Sequence, residues 1–205
     1  LICMRAGPVA HASGSKSPAD ALFDPFWARV AEAGISVAYH SGDAGYNKFA
    51  DEWGVGGAFK SFEYDPLRAT LSASPISDTL AALICHGVFD RFPRLRVATI
   101  ESGSDWVAPL LKKLEKAYGQ MPRDFASDPV ERFQRHVSVS PYYEDDLEAL
   151  KAAIGADHVL FGSDWPHAEG LAAPTDFIHD LSGYDAREVE LVMRDNAMRL
   201  LAPAS

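Results

Sequence analysis

The sequence has few cysteines, no long apolar run and no excess of positive charge. Cys3 and Cys85 are its two cysteines. That is too few for a disulfide framework or a cysteine-built zinc site, and it sets a reduced, cytoplasmic location as the expectation. No apolar stretch approaches the roughly 20 residues that cross a bilayer, so no membrane partner is expected. The opening residues lack the long apolar segment of a secretion signal. Basic residues number 19 against 29 acidic ones, a net charge of −10. Such a surface repels phosphate backbones, which argues against nucleic acid as a partner. No internal repeat, heptad pattern or low-complexity block interrupts the chain.

What is present suits a folded domain. The 205 residues are 47% hydrophobic and 23% charged, enough for one sizeable core. Residues 1–205 are therefore expected to form a single α/β domain.

Apolar runs alternate with helical periodicities along the chain. Leu1 to Met4 is short and apolar throughout, as in a strand buried on both faces. A Gly/Ser/Pro-rich loop, Gly7 to Pro18, leads to a helix start. Asp24 is expected to cap it and Pro25 to occupy its first position, with Gly34 at its end. Ile35 to His40 is the second strand. Ser41 to Ser74 is a long segment rich in Gly and aromatics, a length more often functional than idle. Further helices are expected from Ser74-Pro75 to Val88, Trp106 to Tyr118, Glu144 to Ile154 and Arg187 to Leu201. Further strands are expected at Leu95–Ile100, His136–Ser140 and His158–Gly162.

About five strands separated by helices imply parallel pairing with helical crossovers. Two architectures satisfy that order: an open doubly wound sheet, or part of a (β/α)8 barrel, whose full form needs about 250 residues. The strand ends decide between them. The expected strands stop at Arg5, His40, Glu101, Ser140 and Gly162-Ser163-Asp164. Polar groups thus follow nearly every apolar run. In a barrel these ends converge on one mouth, whereas an open sheet uses only its switch point. An incomplete TIM-type barrel with helices outside is the expectation.

His40 offers an imidazole on a rigid element, and Asp164 a carboxylate that is costly to bury unless it is paired or bound to a metal. Glu101 could act as a base or weak ligand, or pair with Arg5. His167 (three residues beyond Asp164), Trp165 and Arg5 stand close enough to touch substrate. Trp53, Phe59 and Phe62 could line a pocket from the long segment. His86 suits the negative end of a helix; His11, His136, His158 and His179 carry no assignment. Cys85 reads as a packed small hydrophobe.

These residues resemble a known family. Phe89-Asp90-Arg91-Phe92-Pro93-Arg94-Leu95-Arg96-Val97, Leu160-Phe161-Gly162-Ser163-Asp164-Trp165-Pro166, and Asp195-Asn196-Ala197 with Leu200-Leu201 are similar to three segments of the amidohydrolase-related family. That family includes aminocarboxymuconate-semialdehyde and resorcylate decarboxylases. The resemblance implies a (β/α)8 barrel with one divalent metal, zinc first and manganese second. It places the fifth-strand histidine ligand on His40 and the eighth-strand aspartate on Asp164. The family's first-strand H-x-H pair has no counterpart here, because Leu1 falls at the start of the fourth strand. The H-G-G segment of the decarboxylases is replaced by Glu101-Ser102-Gly103.

The expected function is metal-dependent hydrolysis of a C–N or C–O bond in a small molecule, with Asp164 taking a proton from the attacking water. Non-oxidative decarboxylation is the alternative, and a non-catalytic folded remnant a third. Two strong ligands hold an ion loosely, so this chain alone is expected to be weakly active at most. An open barrel also leaves unpaired edges, for which a second copy is the expected cover, giving a homodimer or higher homo-oligomer.

Overall fold

The computed structural model describes residues 1–42, 44–55, 66–71, 74–168 and 170–202. Four strands form one parallel sheet: β1 (Ile2–Arg5), β2 (Val37–His40), β3 (Val97–Ile100) and β4 (Val137–Val139). Their spatial order is their chain order, and each pair is parallel. A doubly wound sheet reverses its order at a switch point. This one does not, and its sequential order is that of a barrel wall.

The expected fifth strand, His158–Gly162, is reduced to a single parallel bridge from Val139 to Val159. The Leu160 amide still donates to the Val139 carbonyl at 2.8 Å. The rest of its backbone finds other partners. Asn196 Nδ2 donates to the carbonyls of Val159 (2.6 Å) and Ala156 (2.8 Å), and the Phe161 amide donates to the Val192 carbonyl (3.2 Å). A helical segment satisfies the groups a ladder would have used.

The pleat divides the sheet into two faces. Val37, Tyr39, Val97, Val137, Val139 and Val159 enter the main core, shared with the outer helices. The helices among the described residues are α1 (Asp24–Glu32), α2 (Asn47–Glu52), α3 (Pro66–Thr70), α4 (Pro75–Cys85), α5 (Val88–Arg91), α6 (Val107–Gln120), α7 (Pro129–His136), α8 (Leu147–Ile154), α9 (Ala186–Glu190) and α10 (Asn196–Leu201). Trp27, Leu80, Leu83, Leu110, Phe133 and Leu150 bring their apolar stripes to that core. On the opposite face Ala98, Ile100 and Leu160 meet Leu200 of α10 in a smaller cluster. Side-chain alternation therefore sets His40, two residues beyond Ala38, on the inner face.

Several helix boundaries depart from the sequence expectation. Asp24 does not cap α1. Asp20 caps the single 3-10 turn Ala21–Phe23 that precedes it, and Asp24 instead accepts from Arg91 Nη2 at 2.9 Å. Ser74 does cap α4, accepting from the Ser77 amide. Gly87, at φ 67°, ends α4 short of the expected Val88, and Val88 instead opens α5, which was not expected. Helix α7 was not expected; Asp128 caps it through the amides of Val130 and Glu131. The last helix is broken by a π-helical turn, Leu191–Asp195. Among the described residues no helix is long and apolar enough to cross a membrane.

Candidate metal centre

Strand β3 ends at Ile100, and continued alternation would turn the next side chain toward the helices. Glu101 instead takes a left-handed backbone, φ 52°. Its carboxylate lies against the strand neighbour, with Oε2 2.7 Å from Nε2 of His40. The His40 ring is fixed from its other side, where Nδ1 stands 2.7 Å from the Ser41 carbonyl oxygen. With Nδ1–H donating there, Nε2 is the atom turned to the mouth.

Asp164 repeats the backbone device. Its φ is 54°, and among the described residues it and Glu101 are the non-glycine positions of positive φ. Such a conformation costs on the order of 1–3 kcal/mol and persists where the surroundings enforce it. After Asp164 the chain turns tightly. The His167 amide donates to the Asp164 carbonyl at 2.9 Å, and the Leu171 amide to the Ser163 carbonyl at 2.9 Å. The turn returns His167 to the mouth. Its Nδ1 lies 3.5 Å from Glu101 Oε1 and 3.6 Å from Asp164 Oδ1.

Those separations are long for hydrogen bonds. They match two ligand atoms sharing one ion, since tetrahedral bonds of about 2.1 Å set such atoms about 3.4 Å apart. Glu101, Asp164 and His167 each offer one such atom, all within 4.8 Å of one another.

Two cavities of about 470 Å³ each open around this group, and both are lined by His40, Glu101 and Tyr142. One adds Ser140, Pro141, Tyr143, Asp164 and Trp165. The other runs toward Ser74, Ile76, Trp106, Pro109 and Lys113. Two glycines permit the close packing here. A Cβ on Gly162 would fall 2.1 Å from Ser140 Oγ, and one on Gly103 would meet the Tyr142 ring at 3.0 Å.

The family profile of the amidohydrolases matches residues 9–202. The chain belongs to the amidohydrolase family. It is similar to the crystal structure of an amidohydrolase from Mycobacterium avium subsp. paratuberculosis K-10, with 44% identity and a TM-score of 0.90 over 98% of this chain and 51% of that one. The fold is shared with 5-carboxyvanillate decarboxylase from Sphingomonas paucimobilis, at 18% identity and a TM-score of 0.72 over 98% of this chain and 57% of that one. It is shared also with a manganese-bound dihydroxybenzoic acid decarboxylase from Polaromonas sp. JS666, at 17% identity and a TM-score of 0.66 over 93% of this chain and 56% of that one. This chain spans about half the length of each of these structures.

The residues singled out in the sequence are distributed unevenly in this amidohydrolase chain. Glu101 and Asp164 come together, and His167 joins them as a third possible ligand rather than only a substrate contact. His40 shares a cavity with Asp164 and reaches it through Glu101. Glu101 is paired with His40, while Arg5 Nη2 donates to the Pro8 carbonyl at 3.0 Å. Trp165 is 62% exposed and forms a cavity wall. Trp53 is exposed and lines neither cavity, and Phe59 and Phe62 lie outside the described residues. Tyr142 was missed. The available signal was its place directly after the fourth strand end, in Ser140-Pro141-Tyr142.

The donor set fits a divalent cation. Two carboxylates and an imidazole, with a second imidazole 2.7 Å from one carboxylate, are oxygen- and nitrogen-donors of the kind that zinc and manganese take.

Proposed function

We propose that the site belongs to a metal-dependent hydrolase that cleaves a C–N or C–O bond of a small molecule. The observation carrying this reading is the position of His167 Nδ1, at ion-sharing distance from both Glu101 and Asp164. Asp164, Glu101 and His167 would hold the ion, and His40, once released from Glu101, would complete the set. A divalent ion there supplies Lewis acidity toward a substrate oxygen and toward water. The oxygen-rich donor set favours manganese at least as much as zinc.

The chain's own groups do the rest. Asp164 accepts a proton from the attacking water through a carboxylate oxygen. Before an ion binds, His40 holds Glu101 in place by the 2.7 Å contact. Pro141, Tyr142, Tyr143 and Trp165 present apolar surface to the body of the substrate. Decarboxylation of an aromatic carboxylate is the second reading, supported by the names of two structures that share the fold. A panel of amides, esters and lactones, run beside aromatic carboxylates with CO2 detection on manganese- and zinc-loaded protein, separates them. Turnover of the first group supports hydrolysis, CO2 release supports the second reading, and neither activity in metal-loaded protein counts against both.

A homodimer or higher homo-oligomer is part of the proposal, and sedimentation showing only monomer at high concentration would remove it.

A further inference from the structure

Tyr142 is built into the mouth more firmly than a surface tyrosine needs to be. Pro141 precedes it, and its own amide donates to Asp145 Oδ2 at 3.0 Å. The same oxygen accepts from Ser104 Oγ at 2.9 Å. The ring lies on Gly103, which at φ 58° has no side chain to hold it off. Backbone and ring are thus both fixed before any ligand arrives. The ring forms part of the wall of both cavities at the metal centre.

The hydroxyl has no hydrogen-bond partner among the described residues. Burial first, then the negative charges of Glu101 and Asp164, push the Tyr142 phenol up to about 12. Through neutral pH it therefore keeps its proton and acts as a donor. The charged groups around it are chiefly acceptors: Glu101, Asp164, Asp145 and Asp105. An uncommitted neutral donor at such a place suits an oxygen that gains negative charge.

We propose that Tyr142 is a further catalytic residue, donating its phenolic hydrogen bond to the carbonyl or carboxylate oxygen of the substrate. This deepens the proposed function and rests on it. The proton stays on Tyr142, so no further acid or base is required. The ligand class it selects is a small molecule with an acceptor oxygen beside an apolar body, the body lying along Trp165 and Tyr143.

The test uses benzoate as the probe, with the full chain, in the presence and absence of manganese. Manganese is first titrated alone, which checks the metal reading independently. Benzoate affinity is then measured calorimetrically for the wild type, Tyr142→Phe and, as a control on α6 away from both cavities, Tyr118→Phe, with circular dichroism confirming that each is folded. Tyr142→Phe is expected to bind benzoate about tenfold more weakly, with manganese affinity unchanged, as for loss of one donor to an anionic oxygen. Tyr118→Phe is expected to match the wild type. Equal benzoate affinity for Tyr142→Phe and wild type would overturn the proposal. So would a wild type that binds no benzoate in either condition. A wild type that binds benzoate but no manganese defeats the metal reading, and the Tyr142 comparison is then read on the metal-free protein.

Discussion

Nε2 of His40 and Oε2 of Glu101 are 2.7 Å apart across the ends of two neighbouring strands. In register His40 pairs with Ile100, so Glu101 is one residue past its partner. The contact exists because the backbone of Glu101 is left-handed and its carboxylate is turned back to the mouth. It joins the second strand of the sheet to the group that includes Asp164 and His167. This contact stands beside the point where those three ligand atoms converge.

The packing of Gly162 on Ser140 ties the fifth segment to β4. Gly162→Ala is expected to lower stability by about 1–3 kcal/mol, since the new methyl overlaps Ser140 Oγ. Ser140→Ala in the same chain should recover most of the loss. Urea unfolding of the two single variants and the double variant measures the coupling. Additive losses would show that the two residues are not in contact.

Asn196 is 3% exposed and donates to the carbonyls of Ala156 and Val159. Asn196→Ala leaves both oxygens without that donor. The expected loss is about 1–3 kcal/mol. Amide exchange should quicken around residues 156–160 more than in β2. Uniform protection across both regions would show that the segment is held by something else.

His136 is buried, stacked on Phe89 at 4.6 Å, with Nδ1 held by the Leu95 carbonyl. Burial lowers its pKa below the ordinary 6.5, and Arg132 and Arg135 act in the same direction against Asp90. The folded state therefore binds this proton less readily than the unfolded state. The sign follows: stability is full above about pH 6.5 and is lost as pH falls below it. His158, also lowered by burial, adds to the effect. His136→Gln should flatten the fall in urea midpoint between about pH 7 and pH 5. An unchanged slope would show that other groups cause it.

The strand ends were legible because each apolar run stops abruptly at a polar residue. That pattern located His40, Glu101 and Asp164 and favoured a barrel over a doubly wound sheet. The fifth strand was not legible as a bridge, because pairing depends on partners and Asn196 takes the role of one. Helix α7 was missed although Asp128-Pro129 marks its start, since its eight residues carry too short a periodicity beside the strand that follows. Asp24 was misread as a cap because a 3-10 turn shifts the start of order to Asp20. The approach of His167 to the two carboxylates depends on a left-handed Asp164, which an aspartate permits but does not dictate. Tyr142 follows the fourth strand end in sequence, and its place at the mouth depends on packing against Gly103, which no local pattern reveals.

The most direct measurement is equilibrium manganese binding followed by electron paramagnetic resonance, on the wild type and on Asp164→Asn. The expected result is one tight site per chain in the wild type, with affinity at least about tenfold lower in Asp164→Asn, whose amide is a poorer donor to the ion. Both proteins should show the same circular dichroism spectrum. A wild type that binds no manganese, or an Asp164→Asn protein that binds it equally well, would contradict the assignment of Glu101, Asp164 and His167 as a metal centre.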